Sequence, residues 1–177
     1  MVPNFLKMTF FRVKKIKGKE YAYLVENEWK KKGSRQKVRG YLGRAYRLNQ
    51  TNKIDFSKFI NNNEIEKYVQ DNEANKIIKD LIEWEFFNFN VNRDEFSIDF
   101  GNKTLQKHKK NAVLVMNEGF MCSLTLSNLL EFKPEADGDS DGYNFARTFV
   151  EAGIKVPQEV FIGLFAKLYK IDNKRTE

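Results

Sequence analysis

Cysteine and histidine are nearly absent from this sequence, which has one residue of each, Cys122 and His108. A single cysteine cannot form a disulfide within the chain, so the main sign of export to an oxidising compartment is missing. One cysteine and one histidine also cannot supply the four ligands of a usual zinc site. The sequence therefore predicts no metal centre of that kind.

Long apolar runs are missing as well. No segment approaches the roughly 20 apolar residues that a membrane-spanning helix needs. The stretch 1–11 is too short and too interrupted to be the apolar core of a signal peptide. We therefore expect a cytoplasmic protein that makes no membrane contact.

The common catalytic and cofactor motifs do not occur. There is neither a GxxxxGK[ST] phosphate loop nor a GxGxxG dinucleotide fingerprint. His108 lies between Lys107 and Lys109, a setting typical of an exposed basic loop rather than of a catalytic base. Cys122 has apolar neighbours and is interpreted as a buried small side chain. We predict no cofactor.

An acidic segment, DGDSDG at 137–142, imitates the opening of a calcium-binding loop. The twelfth position counted from Asp137 is Thr148, where such a loop carries a bidentate glutamate. The eighth position is Asn144 instead of an aliphatic residue. The segment is therefore predicted to be a solvated acidic turn.

Charge is distributed unevenly along the chain. The net charge is +7, yet residues 1–50 hold 14 Lys and Arg against three acids, a net charge of +11. Residues 51–177 hold 17 basic against 21 acidic side chains, a net charge of −4. A basic end joined to a mildly acidic body indicates a surface dedicated to a polyanion.

The basic end has the pattern of a β-meander. Segments 9–17, 20–28 and 35–42 are rich in β-branched and aromatic residues. Lys17-Gly18 separates the first two, because glycine supplies the positive φ of a tight turn. Residues 31–34 supply a second turn. We predict three antiparallel strands.

Alternation within the third strand predicts its two faces. One face would carry Val38, Gly40 and Leu42, and the other Arg35, Lys37, Arg39 and Tyr41. If Leu24 shares the core face with Val38, then Tyr21 and Tyr23 join the basic side. A different register would place these tyrosines in the core, so the sequence leaves both arrangements open.

Several motifs of this end resemble a short N-terminal module of prokaryotic transposase-like proteins and uncharacterised archaeal proteins. The shared motifs are KKIKGKEYAYLVE at 14–26 and SRQKVRGYLGR at 34–44. The resemblance implies a role connected with nucleic acid. The chain is too short for the transposase catalytic domain with its three spaced carboxylates.

The remainder is predicted to be a second module, 51–177, after a basic module, 1–50. Helical periodicity covers 64–87, and a period of two returns at 89–100, with a turn at 92–94. A buried strand is expected at 112–116, and helices at 125–132, 143–152 and from Pro157 onward. The fold class is α+β: an N-terminal three-stranded meander, a mixed helical and β-hairpin body, and helices at the end.

The leading hypothesis is a DNA- or RNA-binding protein that uses a basic, aromatic β-face. Cations would contact phosphates and tyrosines would stack on bases. The candidate residues are Arg12, Lys14, Tyr21, Tyr23, Arg35, Lys37, Arg39, Tyr41, Arg44 and Arg47. Whether the second basic stretch, 103–110, extends this surface or is a solvated loop stays open.

Two alternatives remain. A metal-dependent nuclease would use Asp99, Glu118 or Glu131 as ligands. An interaction subunit of a larger complex would dock a protein partner through the acidic body. The sequence alone does not separate these alternatives from simple nucleic-acid binding.

Overall fold

The computed structural model describes residues 9–30, 33–135 and 138–173. Its strands are β1 (Thr9–Ile16), β2 (Lys19–Lys30), β3 (Gly33–Arg47), β4 (Phe96–Asp99), β5 (Thr104–Lys107), β6 (Lys110–Met116) and β7 (Gly119–Met121). Its helices are α1 (Phe56–Phe59), α2 (Ile65–Asp71), α3 (Ala74–Asn88), α4 (Ser123–Leu130), α5 (Gly138–Ala152) and α6 (Gln158–Asn173). The predicted α+β class is confirmed.

The basic end forms the expected antiparallel meander. β1 pairs with β2 around the turn at Lys17 and Gly18, whose φ angles of 49° and 78° are both positive. Two positive φ values match the twist of the flanking strands, which explains why glycine is needed in this turn. β2 then pairs antiparallel with β3. Of the second predicted turn, residues 31 and 32 lie outside the described residues.

The meander continues into the sheet of the body. The strand order is β1-β2-β3-β6-β5-β4, and β7 also pairs with β6. β3 and β6 run parallel, with Arg44 opposite Ala112 and Arg47 opposite Val115. The three helices and two strands between β3 and β6 form the long connection that a parallel pair requires.

A glycine allows the close approach of β3 to β6. Gly43 has a φ of +140°, and a Cβ placed on it would lie 2.5 Å from the Asn111 carbonyl oxygen. That distance is far inside van der Waals contact, and side chains rarely adopt this φ. Any larger residue here would push apart the strands that join the meander to the body.

Two hydrophobic clusters lie on opposite faces of β6. Ala112, Leu114 and Met116 face the larger cluster, which contains the buried side chains of α3, α5 and α6. Val113 and Val115 face a smaller cluster with Cys122, which also includes Ala22 and Ala45 of the meander. Cys122 is buried, as the sequence predicted. No helix in the described ranges is both long and apolar enough to cross a membrane.

The helical segment predicted at 64–87 is two helices. Asn72 interrupts it with an extended φ, ψ of −110°, 149°, and both its backbone N–H and its side-chain amide donate to the Tyr68 carbonyl. Asparagine competes in this way with the helical hydrogen bonds. α3 then continues to Asn88, one residue past the predicted end.

Of the hairpin predicted around 92–94, the turn and the second strand, β4, are present, but the first strand at 89–91 is not. Residues 89–91 follow directly on α3, and the Val91 N–H donates to the Phe86 carbonyl instead of to a strand. β4 pairs with β5. Their turn is fixed by Asp99, whose carboxylate accepts the N–H groups of Gly101 and Asn102, each at 2.9 Å. The aspartate, rather than the apolar alternation, determines where the hairpin lies.

We expect Gly43→Ala to lower the free energy of unfolding by roughly 1–3 kcal/mol, because alanine must adopt a strained φ against the Asn111 carbonyl. Gly40→Ala is the matched control, since Gly40 lies three residues away with nothing within 4 Å of its Cβ position. Urea denaturation of both variants checks this. Equal stability of the two would show that Gly43 is not required for the close approach.

Candidate nucleic-acid interface

Two irregularities in β3 decide which side chains share a face. The register places Tyr23 opposite Tyr41, but Val25 opposite Val38, because it shifts once before Tyr23 and again after Leu24. Leu42 and Arg39 are the extra residues of β3 at these bulges. The simple alternation predicted for the third strand therefore fails. Directly opposed residues share a face, so Tyr41 lies on the face of Tyr23 and Val38.

Three tyrosines form an aromatic cluster on this face, which we call the tyrosine face. The Tyr41 ring centroid lies 5.4 Å from that of Tyr23 and 6.4 Å from that of Tyr21. Tyr41 is 55% exposed, and none of the three belongs to either hydrophobic cluster. Partial burial, and then the neighbouring Tyr21 and Tyr23, raise the pKa of the Tyr41 phenol. The Tyr41 phenol is therefore neutral at physiological pH, and its ring offers an aromatic surface to solvent.

Cations border the tyrosine face. In the register, Arg12 is opposite Tyr23, while Tyr21 lies between Lys14 on β1 and Arg44 on β3. The Lys14 ammonium lies 5.2 Å from the centroid of the Tyr23 ring. Arg12 donates a hydrogen bond to the Gln36 side chain, which holds its guanidinium over the sheet. The structure thus brings six of the predicted residues onto one face.

Three other predicted residues lie on the opposite face of the meander. Arg35 is opposite Glu28 and Lys37 is opposite Glu26. Along β2 these glutamates are an odd number of residues from the tyrosines, so they and their partners lie on the other face. Arg39 forms an ion pair with Glu26, which is only 3% exposed. The hydrogen bond from this pair raises the pKa of Arg39. The positive charge of Arg39 is therefore neutralised by a buried carboxylate of the same protein.

The last predicted residue, Arg47, is also paired, since its Nε lies 2.7 Å from an Oε of Glu20. Arg44 has a different environment. Its guanidinium carbon lies 4.9 Å from the centroid of the Tyr46 ring, a cation–π geometry. The sequence reasoning missed Tyr46, although it continues the spacing of two from Arg44 along β3.

One residue of the second basic stretch, Lys107, lies close to the basic residues of the meander. The Lys107 ammonium lies 4.9 Å from the Tyr46 ring centroid, beside Arg44. It also pairs with Glu95 and thereby lowers the pKa of that carboxyl. Lys103 pairs with Glu131 at 2.6 Å instead. His108 and Lys109 form the exposed turn between β5 and β6, both with positive φ, as the basic-loop interpretation expected.

The carboxylates proposed as nuclease ligands have other partners or lie in a turn. Asp99 caps the β4–β5 turn, Glu131 binds Lys103 and Ser127, and Glu118 is exposed at the β6–β7 turn. Within 9–30, 33–135 and 138–173, no group of three or more His, Cys, Asp or Glu side chains is placed to hold a metal ion. The geometry gives the nuclease alternative no support.

The acidic segment at 137–142 is partly described. Asp137 lies outside the described residues, and Gly138 begins α5. Asp141 is buried, and both its carboxylate oxygens accept the Glu135 N–H at 2.9 Å. Part of the predicted solvated turn is thus the first turn of a helix, anchored by a buried aspartate.

Comparison with known proteins adds no further information, because no family model, no curated protein and no solved structure matches this chain. The likeness of residues 14–44 to the transposase-associated module rests on its motifs alone and stays a prediction. The function must therefore be argued from the tyrosine face itself.

Proposed function

We propose that this protein binds single-stranded nucleic acid on its tyrosine face. The observation that carries the proposal is the cluster of the half-buried Tyr21 and Tyr23 with the exposed Tyr41, bordered by Arg12, Lys14 and Arg44. A tyrosine left partly exposed on a sheet adds little to the core. The rings of Tyr21 and Tyr23 both contact that of Tyr41, tilted from it by 44° and 53°, and together they make an aromatic surface on which the faces of bases can stack.

The chemistry of this face matches unpaired bases better than a duplex. In a duplex the base faces are stacked on each other, and only their edges and the phosphates are accessible. In a single strand, each base can stack on an aromatic ring, which contributes roughly 1–3 kcal/mol per base. Lysine and arginine at the border of the rings would neutralise the neighbouring phosphates. The surface supplies both kinds of contact side by side.

The distribution of acids also favours this face. Three residues of β2 carry carboxylates: Glu20, Glu26 and Glu28. They are separated by even numbers of residues and so share one face, whereas Tyr21 and Tyr23 lie at the intervening, odd-numbered positions. They therefore point away from the tyrosine face. A polyanion approaching the rings meets cations without the repulsion that it would meet on the opposite face.

We expect Tyr41→Leu to weaken binding of a single-stranded oligonucleotide about 5- to 100-fold, the loss of one base stack. Tyr41→Phe keeps the ring, so its affinity should stay close to that of the wild type. Tyr143→Leu is the matched control, because Tyr143 is 70% exposed on α5, outside the meander. Fluorescence anisotropy measures all three. An unchanged Kd for Tyr41→Leu would contradict stacking at this position.

The two faces of the meander can be compared with equal changes of charge. Arg12→Gln/Lys14→Gln removes two cations from the tyrosine face, and Arg35→Gln/Lys37→Gln removes two from the opposite face. We expect only the first pair to reduce the slope of log Kd against log salt, by about 1.4, since single strands give about 0.7 per phosphate contact.

A salt titration of both double variants gives the answer. If the Arg35/Lys37 pair lowers the slope and the Arg12/Lys14 pair does not, the nucleic acid binds the opposite face and the proposal is wrong.

A further inference from the structure

A groove near the end of β3 adjoins the tyrosine face. Its cavity volume is about 450 Å³, and it lies between the β1–β2 turn and the β4–β5 hairpin. Its charged lining consists of one carboxylate, Glu20, and five cations: Lys15, Lys19, Arg44, Arg47 and Lys107. We call it the basic groove. Lys15 and Lys19 were not among the predicted binding residues, and Lys107 belongs to the second basic stretch, whose role the sequence left open.

The start of β2 leaves this groove open. The first residue of β2 that pairs with β3 is Glu20, opposite Ala45, and the β1–β2 turn at Lys17 and Gly18 precedes it. β3 runs on to Arg47, held on its other edge by β6. The basic groove therefore borders a length of β3 that has no β2 residue beside it.

The charges in the groove are only partly compensated. Arg47 pairs with Glu20, and Lys107 pairs with Glu95. In the described part of the chain, no ion pair joins Lys15, Lys19 or Arg44 to a carboxylate. Three uncompensated cations and two paired ones converge on one cavity, so its field favours an anion with several charged oxygens.

The aromatic rings at the groove are already covered. Tyr46 carries the Arg44 guanidinium and the Lys107 ammonium near its ring, and it contacts the edge of Phe96 at 5.1 Å between centroids. Phe96 is buried, and Lys107 lies 4.8 Å from its ring centroid. The groove thus offers cations but no free ring surface, which suits phosphates and not bases.

Arg44 connects the two surfaces. It is opposite Tyr21 in the register of β2 and β3, and its guanidinium lies on Tyr46 inside the groove. We infer that the basic groove holds the phosphodiester backbone of the same strand whose bases stack on the tyrosine face. This inference rests on the proposed function. It makes the site longer than the tyrosine cluster, because the strand continues past Arg44 toward Lys15 and Lys19.

Oligonucleotide length separates the two surfaces. A single strand of about four nucleotides, the lower end of known single-strand sites, covers the tyrosine face alone, whereas one of about twelve reaches the groove. The wild type should bind the longer strand more tightly. Lys15→Gln/Lys19→Gln should bind the short strand with the affinity of the wild type. Its affinity for the longer strand should be no higher than for the short one.

For the longer strand, we expect the slope of log Kd against log salt to be lower by about 1.4 in Lys15→Gln/Lys19→Gln than in the wild type. At 0.1 M salt this difference corresponds to about 25-fold weaker binding. Lys53→Gln/Lys133→Gln is the control for charge, since both lysines are exposed and neither lines the groove. It should bind both strands like the wild type. All four substituted lysines are exposed, so matching thermal unfolding curves confirm that the fold is kept.

The outcomes separate the two proposals. If the wild type binds both strands and the Lys15/Lys19 variant matches it on both, or loses affinity equally on both, the groove inference is overturned and the proposed function stands. If the wild type binds neither strand, the proposed function fails and the groove inference fails with it.

Discussion

The parallel pairing of β3 with β6 is the interaction on which the rest of the structure depends. It fixes Arg44 opposite Ala112 and Tyr46 opposite Leu114, and so joins the basic meander to the helical body in one sheet. Ala45 then faces the smaller hydrophobic cluster, while the side chains on either side of it point the other way. This one contact therefore determines where the tyrosine face ends and the basic groove begins.

The bulges in β3 determine how the cations of the meander are used. Without them, Arg39 and Tyr41 would share a face, and the Arg39 guanidinium would lie among the tyrosines, away from Glu26. With them, Arg39 turns to the buried carboxylate and Tyr41 turns to Tyr23. Bulges commonly redirect side chains at functional surfaces. Here they separate the charges that stabilise the protein from the charges that remain available to a ligand.

Local features of this structure could be predicted from the sequence, and non-local ones could not. The Lys17-Gly18 turn, the buried strand at 112–116 and the last helix all follow from patterns within a few residues. The parallel pair could not be predicted, because 64 residues separate Arg47 from Asn111 in number and no local signal selects a partner at that distance.

The candidate site was predictable to a similar extent. The charge asymmetry identified the meander, and six of the ten predicted residues lie on the tyrosine face. The strand register, which the sequence left open, decided the other four. Lys107 illustrates the limit: its proximity to Tyr46 depends on the β4–β5 hairpin, whose position follows from the hydrogen bonds of Asp99 and not from apolar alternation.

The central claim is that unpaired bases lie on the rings of Tyr21, Tyr23 and Tyr41. Photo-crosslinking of a pyrimidine-rich single strand to the whole protein, followed by mass spectrometry of the peptides, tests it most directly, because stacked rings are favourably placed to crosslink. The account predicts crosslinks at one or more of these three tyrosines, with Tyr143 unmodified. Crosslinks confined to the helices, or to the face of Arg35 and Lys37, would contradict it.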